Sequence, residues 1–196
     1  MKKILLHICC APCALYVYEK LRKEYEVTGF FYNPNIHPKK EYDFRKDELI
    51  KVAKIYNWDI VYAEYDMGNW FKEIKGYEKE PEKGKRCSIC FNIRLKKTFE
   101  YAKEENFDIV TSTLSISPHK NTEQINIEGY KLSKDYNVNF LDESFKKKNG
   151  YHIGRKMGKE IGVKAQDYCG CTYSKVERIL FKRERNNSII DLSKAK

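Results

Sequence analysis

Three groups of cysteines have spacings that are typical of metal-binding or redox-active thiols. They are, in chain order, Cys9-Cys10 followed by Cys13, then Cys87 with Cys90, and finally Cys169 with Cys171. Thiols stay reduced in the cytoplasm, where this chain is expected, so seven cysteines favour metal or redox chemistry over structural disulfides. The sequence therefore predicts a reaction centre built from thiols.

The first two groups together suit a metal. The spacing of Cys87 and Cys90 places both sulfurs on one face of a helix turn. The sequence predicts that this helix begins near Cys87, and the free N–H groups of a helix start favour thiolates. With Cys9 and Cys10 they make a set of four sulfurs, which suits zinc or an iron–sulfur cluster. Adjacent cysteines are expected to diverge and not to form a zinc knuckle, which favours the cluster. Cys13 could face the site from the first helical turn or pack as a small hydrophobic residue, and packing is favoured.

The third group has a different predicted role. Cys169 and Cys171 are one residue apart, which makes a poor metal clamp but allows a small, strained and easily reduced disulfide. Gly170 lowers the backbone cost of closing that ring. We expect a redox pair that relays electrons to the metal centre; the alternative is that one of the two cysteines is itself a metal ligand.

Hydrophobic periodicity predicts the elements that position these thiols. Short apolar runs alternate with amphipathic helices, which indicates a parallel sheet with right-handed crossovers. The predicted strands are 3–8, 27–32, 59–65, 108–114 and 138–141, and the main predicted helices are 14–25, 41–56, 87–105, 121–136 and 151–161. Ligands bind at the carboxyl ends of such strands, so the thiols are expected at that edge. All 196 residues are predicted to form one α/β domain, in which 146–196 is a basic, mostly helical C-terminal extension carrying the C-x-C motif.

The charge is strongly basic, with 38 Lys and Arg against 28 Asp and Glu and a formal net charge of +10. The chain also contains 15 tyrosines and 10 phenylalanines. Cations bind phosphates and aromatic rings stack on unpaired bases, so this composition favours a nucleic-acid partner over a merely lysine-rich surface. The candidate contacts are Lys146, Lys147, Lys148, Arg155, Lys175, Arg178, Lys182 and Arg183.

Other signals limit the alternatives. The N-terminal apolar run is too short for a signal peptide or a membrane span, so a cytoplasmic protein without a membrane partner is expected. The sequence does not reveal the oligomeric state, and a monomer is favoured. The sequence holds no glycine-rich phosphate-binding motif, which leaves a dinucleotide or ATP-hydrolysing role unsupported. Candidate proton donors near the predicted strand ends are Tyr32, Asp43 and His119.

The cysteine motifs, in this order and in a chain of this length, resemble the cobalamin-independent epoxyqueuosine reductases. The resemblance rests on His7-Ile8-Cys9-Cys10-Ala11-Pro12-Cys13, Cys87-Ser88-Ile89-Cys90 and Asp167-Tyr168-Cys169-Gly170-Cys171, and on loops 33–38 and 115–121. It covers nearly the whole chain. It implies a Rossmann-like, three-layer α/β fold of the HUP or adenine-nucleotide-alpha-hydrolase-like type, with a helical C-terminal extension.

The resemblance also implies an activity. The family removes the epoxide oxygen of epoxyqueuosine at the tRNA wobble position, which gives queuosine in the last step of its biosynthesis. By motif, Cys9, Cys10, Cys87 and Cys90 would hold a [4Fe–4S] cluster, or Cys9 would instead bind an additional iron. Cys169 and Cys171 would form the redox-active disulfide, and the electron donor is not identified.

Two other functions remain as alternatives at this point. One is an iron–sulfur tRNA thiolation enzyme of related fold, but such enzymes carry a Ser- and Gly-rich ATP-pyrophosphatase loop where this chain has Cys-Cys-Ala-Pro-Cys. The other is a non-catalytic, zinc-stabilised RNA-binding module, which would be colourless.

Overall fold

Five parallel strands form the central sheet of the computed structural model, which describes the backbone of residues 1–194 and the side chains of residues 1–185. The strands are β1 Lys3–His7, β2 Glu26–Phe31, β3 Asp59–Tyr62, β4 Ile109–Ser112 and β5 Asn139–Phe140. They lie in the order β3-β2-β1-β4-β5, and each neighbouring pair is parallel. Strands β2 and β3 extend the sheet on one side of β1, and β4 and β5 extend it on the other. The switch point is therefore between β1 and β4, and open α/β sheets bind ligands at such a point.

Seven α-helices occur in the described part of the chain. They are α1 Ala11–Leu21, α2 Lys39–Tyr56, α3 Met67–Glu73, α4 Lys85–Glu104, α5 Thr122–Tyr136, α6 Gly150–Glu160 and α7 Thr172–Lys194. Two short 3₁₀ helices cover Thr113–Ile116 and Lys147–Asn149. The first 3₁₀ helix includes residues 113–114, which were predicted to end the fourth strand. Helix α1 begins at Ala11, three residues before its predicted start.

Local sequence explains where several helices begin and end. Pro12 lies in the first turn of α1, where its missing N–H leaves no hydrogen bond unmade. The side chain of Asn121 accepts hydrogen bonds from the backbone N–H groups of Glu123 and Gln124 and so caps α5. Asn57 and Asn137 adopt the left-handed conformation that ends α2 and α5.

Alternate residues of β1 enter two different cores, as the two-residue period of a strand requires. Ile4 and Leu6, with Ile8 directly after the strand, pack with the apolar side chains of α1 and α2. Leu5 packs on the opposite face with Phe99 and the other apolar residues of α4. Helices therefore cover both faces of the sheet, and the predicted three-layer α/β fold is confirmed.

The C-terminal segment returns to the carboxyl edge of the sheet. Helix α6 lies against α1, and this approach needs Gly154, since a Cβ there would meet the carbonyl oxygen of Pro12 at 2.7 Å. The following loop carries Cys169 and Cys171, and α7 begins directly after it. Residues 195–196 of the predicted extension lie outside the described residues, as do the side chains of 186–194. Within residues 1–194 we find no helix with the length and apolar character needed to cross a membrane.

Candidate functional site

The turn between β1 and α1 gathers three sulfurs. Cys10 is the residue that precedes α1, and Cys13 follows in its first turn. The sulfurs of Cys9, Cys10 and Cys13 all lie within 4.8 Å of one another, and those of Cys9 and Cys10 are 3.6 Å apart. The expectation that the adjacent cysteines diverge is therefore wrong, because the chain turns sharply from strand into helix between them.

Sequence reasoning left Cys13 out of the site. Its side chain does pack against both cores, as expected, but its sulfur also joins the group at the β1–α1 turn. The signal for its place in the site is the helix start, from which the sequence also allowed Cys13 to face the site. With Pro12 in the first turn, residues three apart such as Cys10 and Cys13 share one face.

These three thiols have very different acidities. Hydrogen bonds from Cys10 and Cys13 favour the thiolate of Cys9 and, against the effect of burial, hold its pKa well below the usual value. A hydrogen bond from Cys13 also favours the thiolate of Cys10, but donation to Cys9 and burial outweigh it and raise the pKa of Cys10 to about 12. Donation to Cys10 and Cys9 raises the pKa of Cys13. Ionisation is thus favoured at Cys9 and disfavoured at Cys10 and Cys13.

The start of α4 carries Cys87 and Cys90. The backbone N–H of Lys83 donates to the Cys87 sulfur at 3.3 Å. Burial nevertheless raises the pKa of Cys87 to about 12, and it also raises the pKa of Cys90. The predicted thiolate preference of this helix start is therefore outweighed by the desolvation of the two buried thiols.

Cys169 and Cys171 are free thiols with their sulfurs 4.0 Å apart. The hydroxyl oxygen of Ser174 lies 3.2 Å from the Cys169 sulfur, and the Ser174 backbone N–H donates to the Cys171 sulfur at 3.3 Å. Hydrogen bonding from Cys171 holds the pKa of Cys169 well below its usual value and raises that of Cys171 itself. Gly170 between them has a φ of +122°, which a residue with a Cβ rarely adopts.

A buried arginine of α2 fixes the loop that carries this pair. The Arg45 guanidinium donates to the carbonyl oxygens of Cys169 at 3.2 Å and Tyr168 at 3.1 Å, and its Nε donates to Glu41 at 2.7 Å. The Tyr168 hydroxyl donates to the carbonyl of His37 at 2.6 Å. Sequence reasoning missed Arg45, since only its spacing of four residues from Glu41 distinguishes it from the other cations of α2.

Two adjoining cavities bring the thiols to one place. A small cavity with about 20 Å³ of free volume is lined by Cys87, Cys90, Cys169 and Cys171, among others. A larger cleft of about 680 Å³ is lined by Cys9, Cys10, Cys13 and again Cys169. Cys169 therefore lines a cavity with each set of predicted metal ligands, those at the start of α1 and those at the start of α4.

Three charged or titratable side chains line both cavities, namely Glu82, His119 and Lys120. Burial disfavours the charge on Lys120, but Cys9, Cys169 and Cys13 outweigh that effect and raise its pKa. Burial and the nearby Cys169 raise the pKa of Glu82. Glu82 and Lys120 were missed because they lie in irregular segments among many similar charges.

The predicted proton donors are not equivalent in the structure. His119 lines both cavities. Tyr32 is buried in the core on the α4 side of the sheet, and burial raises its pKa. Asp43 lies on α2, where Lys39 binds it at 2.7 Å. Tyr32 and Asp43 line neither cavity, so His119 is the candidate that the geometry places at the thiols.

The residues predicted to contact nucleic acid differ in whether they line the cleft. Arg155 and Arg178 line the cleft, and the exposed ring of Phe181 lies beside them in the lining. The Lys146 ammonium is directed inward and donates to the carbonyl of Lys120 at 2.7 Å. The remaining members are exposed and outside the cleft lining, namely Lys147, Lys148, Lys175, Lys182 and Arg183.

Comparison with known proteins gives consistent matches over most of the chain. Residues 4–177 match the family described as Epoxyqueuosine reductase QueH. A protein of that description from Haemophilus influenzae is 41% identical over 194 residues, which are 98% of this chain and 79% of that protein. The one from Thermotoga maritima is 35% identical over 181 residues, which are 91% of this chain and 93% of that protein.

Solved structures share the fold at low sequence identity. The U34-tRNA thiolase NcsA from Methanococcus maripaludis, solved with its [4Fe-4S] cluster, superposes with a TM-score of 0.54 at 17% identity, covering 94% of this chain and 67% of that chain. A predicted tRNA methyltransferase subunit from Methanocaldococcus jannaschii gives 0.51 at 14% identity, covering 83% of this chain and 90% of that chain. Both have the adenine-nucleotide-alpha-hydrolase-like fold that was predicted.

Proposed function

The chain belongs to the QueH family of epoxyqueuosine reductases, and from this premise we propose how its thiols carry out the reaction. Family membership makes it an oxidoreductase of queuosine biosynthesis with a tRNA substrate, as the resemblance predicted. The fold alone would not distinguish it from a thiolase, since NcsA shares that fold. Its cysteine chemistry has to supply two electrons and two protons, which convert an epoxide into an alkene and water.

Polar atoms around the small cavity test whether the site fits an iron–sulfur cluster. Six buried side-chain nitrogen or oxygen atoms have no hydrogen-bond partner among the described residues, and four of them belong to residues lining this cavity: Asn35, Trp70, Arg86 and Arg94. Buried polar groups are normally satisfied, so this concentration indicates an additional polar group. Three of the four atoms are N–H donors, which suit thiolates and sulfides. The residues present therefore fit a cluster.

A [4Fe–4S] cluster bound by Cys9, Cys10, Cys87 and Cys90 is the cofactor that this donor set supports. Cys13 is a fifth thiol, close to Cys9 and Cys10. Were Cys9 to bind an additional iron instead of the cluster, Cys13 would be a second sulfur available to that iron. Iron would replace the protons that burial keeps on Cys87 and Cys90. When bound, the cluster supplies one-electron transfer. The related fold of NcsA, which carries such a cluster, supports the assignment.

Cys169 and Cys171 supply the electron pair in this proposal. Oxidation of two thiols to one disulfide releases two electrons and two protons, which balances removal of the epoxide oxygen as water. The sulfurs are 4.0 Å apart and need to approach to about 2 Å to form the bond. Cys169, whose pKa is held low, faces both cavities and is the member of the pair nearer the substrate cleft. An external donor must then reduce the disulfide.

Two groups at the junction of the cavities are suited to move protons. His119 and Glu82 line both cavities, so each can serve the thiol pair and the substrate cleft. Burial and Cys169 raise the pKa of Glu82, which keeps its carboxyl protonated at higher pH than an exposed glutamate.

The cleft is the proposed site of the wobble nucleotide. Its volume of about 680 Å³ is in the usual range for small-molecule sites. Arg155 and Arg178 on its walls suit phosphates, and the exposed Phe181 ring suits stacking on an unpaired base. We assign the exposed cations of the C-terminal segment to the surrounding RNA backbone.

Anaerobic purification followed by an assay on epoxyqueuosine-containing tRNA tests the proposal. We expect a brown protein that contains iron and sulfide and converts the modified base. Cys169→Ser and Cys171→Ser should retain iron and sulfide but lose conversion, because neither variant can form the disulfide that supplies the two electrons. A fully loaded protein without conversion would contradict the function, and wild-type turnover by either serine variant would contradict the redox pair. A colourless protein with one zinc would support the RNA-binding module instead.

A further inference from the structure

Trp70 is buried without a partner for its one polar atom. It lies in α3, its side chain is 0% exposed, and its indole N–H has no acceptor among the described residues. The ring is held between aromatic neighbours: the rings of His37 and Phe71 lie 4.9 and 5.1 Å from it, and the Tyr173 ring lies 6.2 Å away. An indole nitrogen can only donate, so this fixed donor needs an acceptor in the small cavity that Trp70 lines.

Arg94 presents a second such donor to the same cavity. It follows Cys90 by four residues on α4, which places both side chains on one face of the helix. One end of its guanidinium donates to the side-chain oxygen of Asn33 at 2.6 Å, which orients the group. Its Nε–H has no partner among the described residues, and the side chain is only 2% exposed.

Both donors lie at the cavity that also contains the Cys90 sulfur. Cys90 is buried, lines this cavity together with Trp70 and Arg94, and precedes Arg94 by one turn of α4. Trp70 is too deeply buried to stack on a substrate base. The indole N–H of Trp70 and the Nε–H of Arg94 are therefore available to the cysteine sulfurs of the small cavity and not to the substrate.

We propose that the indole N–H of Trp70 and the guanidinium of Arg94 donate hydrogen bonds to the sulfur of Cys90 when it binds the cluster, and thereby raise the reduction potential of the cluster. This rests on the proposed role of Cys90 as a cluster ligand. N–H donors and positive charge beside a ligand sulfur stabilise the reduced cluster, which carries one more negative charge, more than the oxidised one. Trp70 and Arg94 are positioning residues in this assignment, since neither touches the substrate.

Trp70→Phe tests the inference because it removes the N–H and keeps an aromatic ring. The matched control is Trp58→Phe: Trp58 is the only other tryptophan of the chain, and its indole donates to Glu19 at 2.8 Å in the core on the α1 side of the sheet. Each full-length variant is loaded with iron and sulfide anaerobically, and its midpoint potential is measured by EPR-monitored redox titration. We expect a more negative potential for Trp70→Phe and an unchanged one for Trp58→Phe.

Arg94→Gln and Arg94→Lys provide a second measurement if Trp70→Phe loads poorly. The glutamine variant loses the charge and should shift the potential to more negative values, while the lysine variant keeps the charge and should shift it less. Wild-type potentials in loaded Trp70→Phe or in loaded Arg94→Gln would overturn the inference. Absence of iron and sulfide from the wild-type protein would instead contradict the proposed function on which it rests.

Discussion

Neighbouring groups hold individual thiols of this site in different protonation states. Cys9 and Cys169 each accept hydrogen bonds from adjacent thiols and have a low pKa, whereas burial keeps the pKa of Cys87 high. Lys120 favours the thiolate form of both of these cysteines, and they in turn raise the pKa of Lys120. A buried site needs such a cation, because an isolated buried charge is costly.

Arg45 is the residue we expect to control the geometry of the redox pair. Arg45→Ala would leave the carbonyls of Tyr168 and Cys169 without their donor, which costs about 1–3 kcal/mol of unfolding free energy. We predict a fall in kcat of about tenfold or more with little change in KM, partial recovery in Arg45→Lys, and an altered midpoint potential of the Cys169–Cys171 pair. Steady-state kinetics and a dithiol titration measure these quantities.

Arg22→Ala is the control for that experiment. Arg22 is an exposed arginine at the end of α1 that binds Glu19 at 3.1 Å, far from the thiols in the fold. Its loss should leave kcat and the dithiol potential unchanged. Arg45→Ala with the kcat and dithiol potential of the wild type would contradict the positioning role.

Most of the thiols lie at or next to the start of a helix. Helix α1 begins next to Cys10, α4 begins two residues before Cys87, and α7 begins directly after Cys171. The sheet places the starts of α1 and α4 at its carboxyl edge, because each follows a strand or a loop from that edge. Packing of α6 on α1 then directs the last loop back to the same edge.

Gly154 is predicted to be essential for that packing. In Gly154→Ala the new methyl group would lie 2.7 Å from the carbonyl oxygen of Pro12, so α6 has to move away from α1. We expect a loss of about 1–3 kcal/mol in unfolding free energy, measured by denaturant titration. Gly68→Ala is the matched control, because its exposed position in α3 has space for a Cβ and alanine favours a helix by up to about 1 kcal/mol. Equal stability of Gly154→Ala and the wild type would show that the helices are not in such close contact.

The whole molecule combines a strongly basic surface with an aromatic residue at the reaction cleft. The net charge of +10 acts over long distances and independently of base sequence. Phe181 is 54% exposed and lines the cleft, whereas Leu180 on the same helix is 50% exposed and does not line it. Charge should therefore determine how strongly tRNA binds overall, and Phe181 how well the unpaired base is held.

Binding of an anticodon stem-loop, measured by fluorescence anisotropy at several salt concentrations, separates these contributions. Phe181→Ala should weaken binding roughly tenfold without changing the salt dependence, since base stacking contributes about 1–3 kcal/mol. Leu180→Ala should bind like the wild type. Arg155→Ala should lower the slope of log affinity against log salt by about 1. Equal affinities of Phe181→Ala and Leu180→Ala would exclude Phe181 from the binding surface.

Strand and helix periods made most of the fold predictable, because those periods depend only on which face of a local element is buried. The sequence predicts the start of α1 three residues late and favours packing for Cys13, because its place in the site depends on the tight turn from β1. The pKa preference at Cys87 was predicted from the helix start alone and was outweighed by burial, which is a property of the packed molecule.

By itself, the sequence determined the α/β fold, the three cysteine groups and the family, since all of these lie in short motifs and local periodicity. Tertiary structure alone decided which other residues accompany the thiols. Arg45 contacts the carbonyl of Cys169 across 124 positions of sequence, and Trp70 reaches the cavity of Cys90 from a different helix. Such contacts follow from how the elements pack on the sheet. No local sequence pattern predicts contacts between side chains that are far apart in the chain.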